Sequence, residues 1–216
     1  MGVRLGLRVA GPAALAALAA LALAGCGLPS AGPHETPSSA KVTDDHSWNP
    51  QPIGGDYDPA DYAAEVREHA AEADVNPVLL MAILYNESYK PHDPEAERAW
   101  QLLDPDASFG IANMHKAAFD DTKRGRDFEG RQWEELPDDR ELAVQAAAWY
   151  LHDLAGQLPE DAAGEYSGDQ LLAAGYNAGP GSMAAYAGGA EPSASVAAYM
   201  AKIEANWEKS EKAIEG

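Results

Sequence analysis

A glutamate at the end of an apolar helix is the residue in this chain best placed for acid chemistry. Glu87 follows Leu84, Ile83 and Leu80 by three, four and seven positions, so on a helix over residues 77 to about 89 its carboxyl shares their face. Desolvation on that face disfavours the charged form, and the negative end of the helix dipole pushes the same way. The spacing therefore predicts a carboxyl that keeps its proton near neutral pH, as a general acid requires. The alternative reading is a helix that frays before Glu87 and turns the side chain to water. Other chemistries find no pattern. His69, His92, His115 and His152 show no HExxH spacing, and neither GxSxG nor a phosphate-binding loop is present. No metal, no cofactor and no serine nucleophile is expected.

A glutamate so placed needs a scaffold to hold it. The 216 residues are 46% hydrophobic and 23% charged, a globular composition sized for one domain plus extensions. Fifteen Lys and Arg stand against 35 Asp and Glu, a formal net charge of −20, which excludes nucleic acid as a partner because phosphate needs a basic surface. Beyond residue 56 the apolar positions repeat at helical spacing and no segment alternates as a strand does, so the fold is expected to be all-α. Asp58-Pro59 and Asn76-Pro77 each read as an N-cap followed by a first-turn proline, and Tyr62, Val66, Ala70 and Ala73 form the stripe of the first helix. Asp138 with Glu141, and Ser167 with Gln170, read as capping boxes. A last helix from about Ser193 carries Val196, Tyr199, Met200, Ile203 and Trp207. Residues 92–106, rich in acids and prolines, are expected to form a loop bordering a groove. Trp100 and Trp133 are the candidate exposed aromatic platforms.

The N-terminus is organised differently. Residues 1–8 hold Arg4 and Arg8 and no acid, and residues 9–24 carry no charge. That run falls short of the about 20 apolar residues a spanning helix needs and ends in small residues, as a secretory signal does. Leu23-Ala24-Gly25-Cys26 resembles the lipobox of bacterial lipoproteins, which implies cleavage before Cys26 and acylation of its thiol. The chain's one cysteine is then a membrane anchor on the extracytoplasmic face, and neither half of a disulfide nor a nucleophile. Residues 26–56, dense in Pro, Ser and Gly, read as a flexible tether. The expected organisation is a signal peptide over 1–25, a tether over 26–56 and a catalytic domain over 57–216.

Three blocks give the domain a family likeness. Glu87-Ser88 ends an apolar helix, Ser108-Phe109-Gly110-Ile111-Ala112-Asn113-Met114 follows, and Gly175-Tyr176-Asn177-Ala178-Gly179-Pro180-Gly181 comes last. In order and character they resemble the soluble-type lytic transglycosylases, whose catalytic domain is lysozyme-like. The resemblance implies a peptidoglycan substrate and cleavage of the β-1,4 bond between N-acetylmuramic acid and N-acetylglucosamine with formation of a 1,6-anhydro ring. It implies Glu87 as acid and then base, Tyr176 and Asn177 lining the cleft, Tyr176 holding Glu87 or the substrate, Ser108 and Asn113 reaching sugar polar groups, and Gly110 permitting close backbone approach. Gly179-Pro180-Gly181 is expected to be a turn without a chemical role. Asn113 stands where the family usually has Gln, one methylene longer, and Lys116 and Ala118 stand where Pro and Thr usually follow. The interval from Glu87 to Ser108 is also long for the family. Two alternatives stay open: a muramidase that hydrolyses the same bond with a second carboxylate drawn from Asp93, Asp104, Asp106 or Glu135, and a catalytically silent glycan-binding lipoprotein.

Overall fold

A computed structural model describes residues 57–90, 92–159 and 165–216; the expected signal peptide, the tether and Cys26 lie outside them. Among the described residues there are seven α-helices, two short 3-10 turns and no strand, as the apolar spacing requires. Asp58 caps a 3-10 turn, Pro59–Tyr62, that leads into α1 (Ala63–Glu72). In α2 (Pro77–Glu87) the Asn76 side chain accepts the N–H of Val78 at 2.9 Å, and Pro77 occupies the first turn, where its missing N–H costs nothing. The Ser167 box starts α6 (Gly168–Ala187) with both reciprocal bonds formed, and Ser193 caps α7 (Ala194–Glu215).

Helix α2 is the central post. Leu79, Leu80, Met81, Ala82, Ile83 and Leu84 are all fully buried, and a helix apolar on every face must be enclosed on every face. Each buried leucine or isoleucine there contributes about 1.5–3 kcal/mol of transfer free energy. The last helix, α7, lies along α2 in the most extensive helix pairing of the fold, and α1 and α6 also touch α2. The stripe of α1 turns Val66 and Ala70 inward and meets α5 (Arg140–Ala155).

Four expectations need correction. Residues 92–106 contain a helix, α3 (Pro94–Gln101), started by Asp93, whose carboxylate accepts the N–H of Ala96 at 2.7 Å. Asp139, not Asp138, caps α5 by accepting the N–H of Leu142 at 2.9 Å, while Asp138 pairs with Arg98. Trp133 is 1% exposed and presents no platform: its ring stacks on Phe109 at 4.0 Å and its indole N–H donates to the Met114 carbonyl at 2.8 Å. Trp100, by contrast, is 58% exposed. At Gly179-Pro180 the chain bends within α6 and helical structure resumes to Ala187, so the segment is a kink rather than a terminating turn. Gly179 makes it possible with φ +81°, and Pro180 follows with no N–H to lose. The departures at Lys116 and Ala118 do not delay the next helix, since α4 (Lys116–Thr122) begins at Lys116 itself.

Candidate active site

Glu87 is the last residue of α2, and the helix reaches it without fraying. It is 7% exposed. Tyr199 of α7 donates its hydroxyl to Oε1 at 2.7 Å, and the Asn113 amide donates to Oε2 at 2.8 Å. The same amide nitrogen lies 3.2 Å from the Glu87 backbone carbonyl, one of the helix-end carbonyls that lack an intrahelical partner. Ser88 closes the helix by donating its hydroxyl to the Tyr85 carbonyl at 2.7 Å.

The block 108–114 forms a tight hairpin turn against this helix end. Phe109 and Met114 exchange both backbone hydrogen bonds at 3.0 Å, and the N–H of Asn113 reaches the Gly110 carbonyl at 2.9 Å. Gly110 sits at φ +71°, where a Cβ would lie 2.9 Å from the Leu136 carbonyl oxygen; a glycine is required on both counts. Asn113 has φ +49°, a conformation that asparagine tolerates better than most residues. With that backbone the shorter amide lands on the carboxyl of Glu87. Ser108 donates its hydroxyl to Asn113 Oδ1 at 3.4 Å, and Lys90 Nζ stands 3.4 Å from both the hydroxyl and the carbonyl of Ser108. Burial pushes the Lys90 ammonium below its ordinary range, against the pull of the neighbouring Glu97 and Glu87 carboxyl groups.

Tyr176 is brought to the same place by α6, but its hydroxyl donates to the Ala112 carbonyl at 2.7 Å. The hydroxyl on the acid comes instead from Tyr199. Burial, and then the adjacent Glu87 carboxyl group, pushes both phenols well above the usual tyrosine range, so each stays a neutral donor. Tyr150 packs against Tyr176 with ring centres 5.4 Å apart. Beside this pair a groove of about 530 Å³ is lined by Ala118, Tyr150, Asp153 and Pro180. Asn177 is exposed on α6 next to Tyr176. The turn 108–114, Tyr176 and Glu87 therefore come together, while Asn177, exposed one position further along α6, makes no hydrogen bond to them.

Four neighbours of this site carried no signal for it in the sequence: Tyr199, Lys90, His92 and Glu97. Tyr199 stands in the apolar stripe of α7, where only its ring was legible; its hydroxyl meets an acid 112 positions earlier.

A family model described as Transglycosylase SLT domain matches residues 65–199, from α1 to the tyrosine on Glu87. The chain belongs to the SLT transglycosylase family. No curated protein and no solved structure matches it significantly. The matched span covers α1 to α6 and the start of α7, so the all-α fold is the lysozyme-like SLT fold. At the level of the family, an SLT domain is a lytic transglycosylase acting on peptidoglycan glycan strands.

Proposed function

We propose that this SLT domain cleaves the β-1,4 bond between N-acetylmuramic acid and N-acetylglucosamine with Glu87 as the one proton carrier. Protonated Glu87 gives its hydrogen to the glycosidic oxygen as the bond to the anomeric carbon breaks. The substrate's N-acetyl carbonyl stabilises the cationic carbon left behind. The resulting carboxylate then takes the proton of the muramoyl C6 hydroxyl while that oxygen bonds to the anomeric carbon, which closes a 1,6-anhydro ring and restores the acid. No water enters the product.

The observation that carries this reading is the pair of donors on Glu87. Tyr199 and Asn113 each bond a different carboxyl oxygen, so the negative charge that forms as the proton leaves is met by donors already in position. The Tyr199 hydroxyl can also accept, which suits it to the protonated acid before the reaction. The acids offered for water activation are engaged elsewhere in three cases of four: Asp93 caps α3, Asp104 accepts the N–H of Asp106, and Glu135 pairs with Arg131. This favours ring closure over hydrolysis. Ser108, Gly110, Tyr176 and Asn177 line the sugar side in this reading, and acylation of Cys26 holds the enzyme to the membrane, with residues 26–56 as the reach to the wall.

The test is product analysis on purified glycan strands. The wild type should release anhydro-ended fragments, and Glu87→Gln should release none while melting as the wild type does. Reducing ends from the wild type, or cleavage by the variant, would overturn the assignment.

A further inference from the structure

We propose that His92 and Glu97, in the long interval between Glu87 and Ser108, are positioning residues that brace the two halves of the catalytic contact against each other. The proposal rests on the reading of Glu87 as the acid. Its geometry is a closed set of hydrogen bonds. Glu97 Oε1 lies 2.9 Å from His92 Nδ1, Glu97 Oε2 accepts the N–H of Gly110 at 2.8 Å, and His92 Nε2 lies 3.2 Å from the Glu87 carbonyl. The two side chains are 2% and 5% exposed. A carboxylate buried this deeply is tolerated because its oxygens are bonded.

The hydrogens can be counted. A backbone carbonyl only accepts, so Nε2 carries a hydrogen. Nδ1 and Oε1 would face each other with lone pairs unless a hydrogen lies between them, and Oε2 already serves Gly110. His92 and Glu97 thus hold one hydrogen more than a neutral imidazole beside a bare carboxylate, whichever of the two carries it. The groups around them are the Tyr57 ring, edge-on to His92 at 5.4 Å, Arg140 over that ring at 5.2 Å, and the half-buried Lys90.

The consequence for the site follows from what each end holds. His92 fixes the carbonyl of Glu87 at the negative end of α2, where a hydrogen donor is favoured. Glu97 fixes the N–H of Gly110, the residue that opens the turn ending in Asn113. Asn113 in turn holds Oε2 of Glu87. One buried carboxylate thereby ties the end of the helix bearing the acid to the turn bearing its donor. The stretch that departs from the family spacing is part of the catalytic framework rather than decoration.

The experiment compares Glu97→Ala and Glu97→Gln in the full chain, with kcat and KM on purified glycan strands. The glutamine can accept from Gly110 with its oxygen and donate to Nδ1 with its nitrogen, leaving the hydrogen of His92 on Nε2, so it should rescue kcat to within about threefold of wild type. The alanine variant should lose about tenfold or more in kcat with KM changed by less than about twofold, because the brace touches no sugar. A folded alanine variant with wild-type kcat, or a glutamine variant as slow as the alanine one, overturns the proposal. Should the alanine variant fail to fold, NMR of the wild type decides. A hydrogen on Nε2 of His92 and a slowly exchanging Gly110 amide support the brace; a bare Nε2 or a rapidly exchanging amide overturns it. These signals involve no turnover, so they stand apart from cleavage by Glu87→Gln, which would overturn the assignment of the acid instead.

Discussion

Replacing Tyr199 with phenylalanine removes a single oxygen and leaves the ring packed between α7 and α2. The lost bond is the 2.7 Å contact to Glu87 Oε1. A hydrogen bond to a charged acceptor is worth about 1.5–3 kcal/mol. In the proposed reaction Glu87 bears charge only once its proton has begun to leave, so most of that amount stabilises the transition state over the ground state. At about 1.4 kcal/mol per tenfold in rate, kcat should fall about ten- to a hundredfold. KM should barely move, since the hydroxyl is bonded to the acid. The assay is the initial rate of anhydro-muropeptide release from purified glycan strands, followed by chromatography and mass spectrometry, with thermal melting to verify the fold. Tyr176→Phe is the internal control. Its hydroxyl bonds the neutral Ala112 carbonyl, a contact worth about 0.5–1.5 kcal/mol, so its loss in kcat should be the smaller of the two. A well-folded Tyr199→Phe enzyme with kcat within twofold of wild type would refute the claim that the donors on Glu87 drive proton transfer.

Gly110→Ala should lower the melting temperature by several degrees, because a positive φ and a Cβ 2.9 Å from the Leu136 carbonyl together cost about 2–4 kcal/mol; an unchanged melting curve contradicts the geometry of the turn. Asn113→Gln should slow kcat by about tenfold although it restores the family's usual residue, since the longer amide overshoots Oε2 and glutamine is less at home at φ +49°. Equal or faster turnover would show that the amide serves the sugar and not the acid. Cys26→Ala should move the protein from the membrane fraction to the soluble fraction of cells, and an unaltered membrane fraction would argue against acylation.

Much of the fold was legible because capping chemistry is local. Asn76-Pro77 and Ser167 with Gln170 start helices for reasons contained within four residues, and the stripe of α7 follows from spacing alone. The same Asp-Pro signal stands at Asp93-Pro94, yet apolar spacing gives no sign of α3. Periodicity detects a helix by assuming that its buried face is apolar, and α3 buries Glu97. The one-residue error at α5 arose where Asp138 and Asp139 are both competent caps and a distant Arg98 claims the first. The burial of Trp133 is hidden from its own neighbours for a related reason: its stacking partner and its carbonyl acceptor both come from the turn 108–114. Around the candidate site, the placement of Glu87 on the buried face is legible from its own helix. Ser108, Gly110, Asn113 and Tyr176 required the family resemblance, and Tyr199 required the structure, because a hydroxyl in an apolar stripe says nothing of what it will meet.

The 112 positions between Glu87 and Tyr199 bear on when during folding the proposed acid gains its phenol donor. A polypeptide that stops short of the last helix keeps the acid but lacks the phenol that steadies it, and the central post is left bare on the side where that helix docks. Such a fragment would also expose the leucine and isoleucine side chains of α2 that α7 covers. In the proposed mechanism the acid and its phenol donor therefore meet only once α7 has docked on α2.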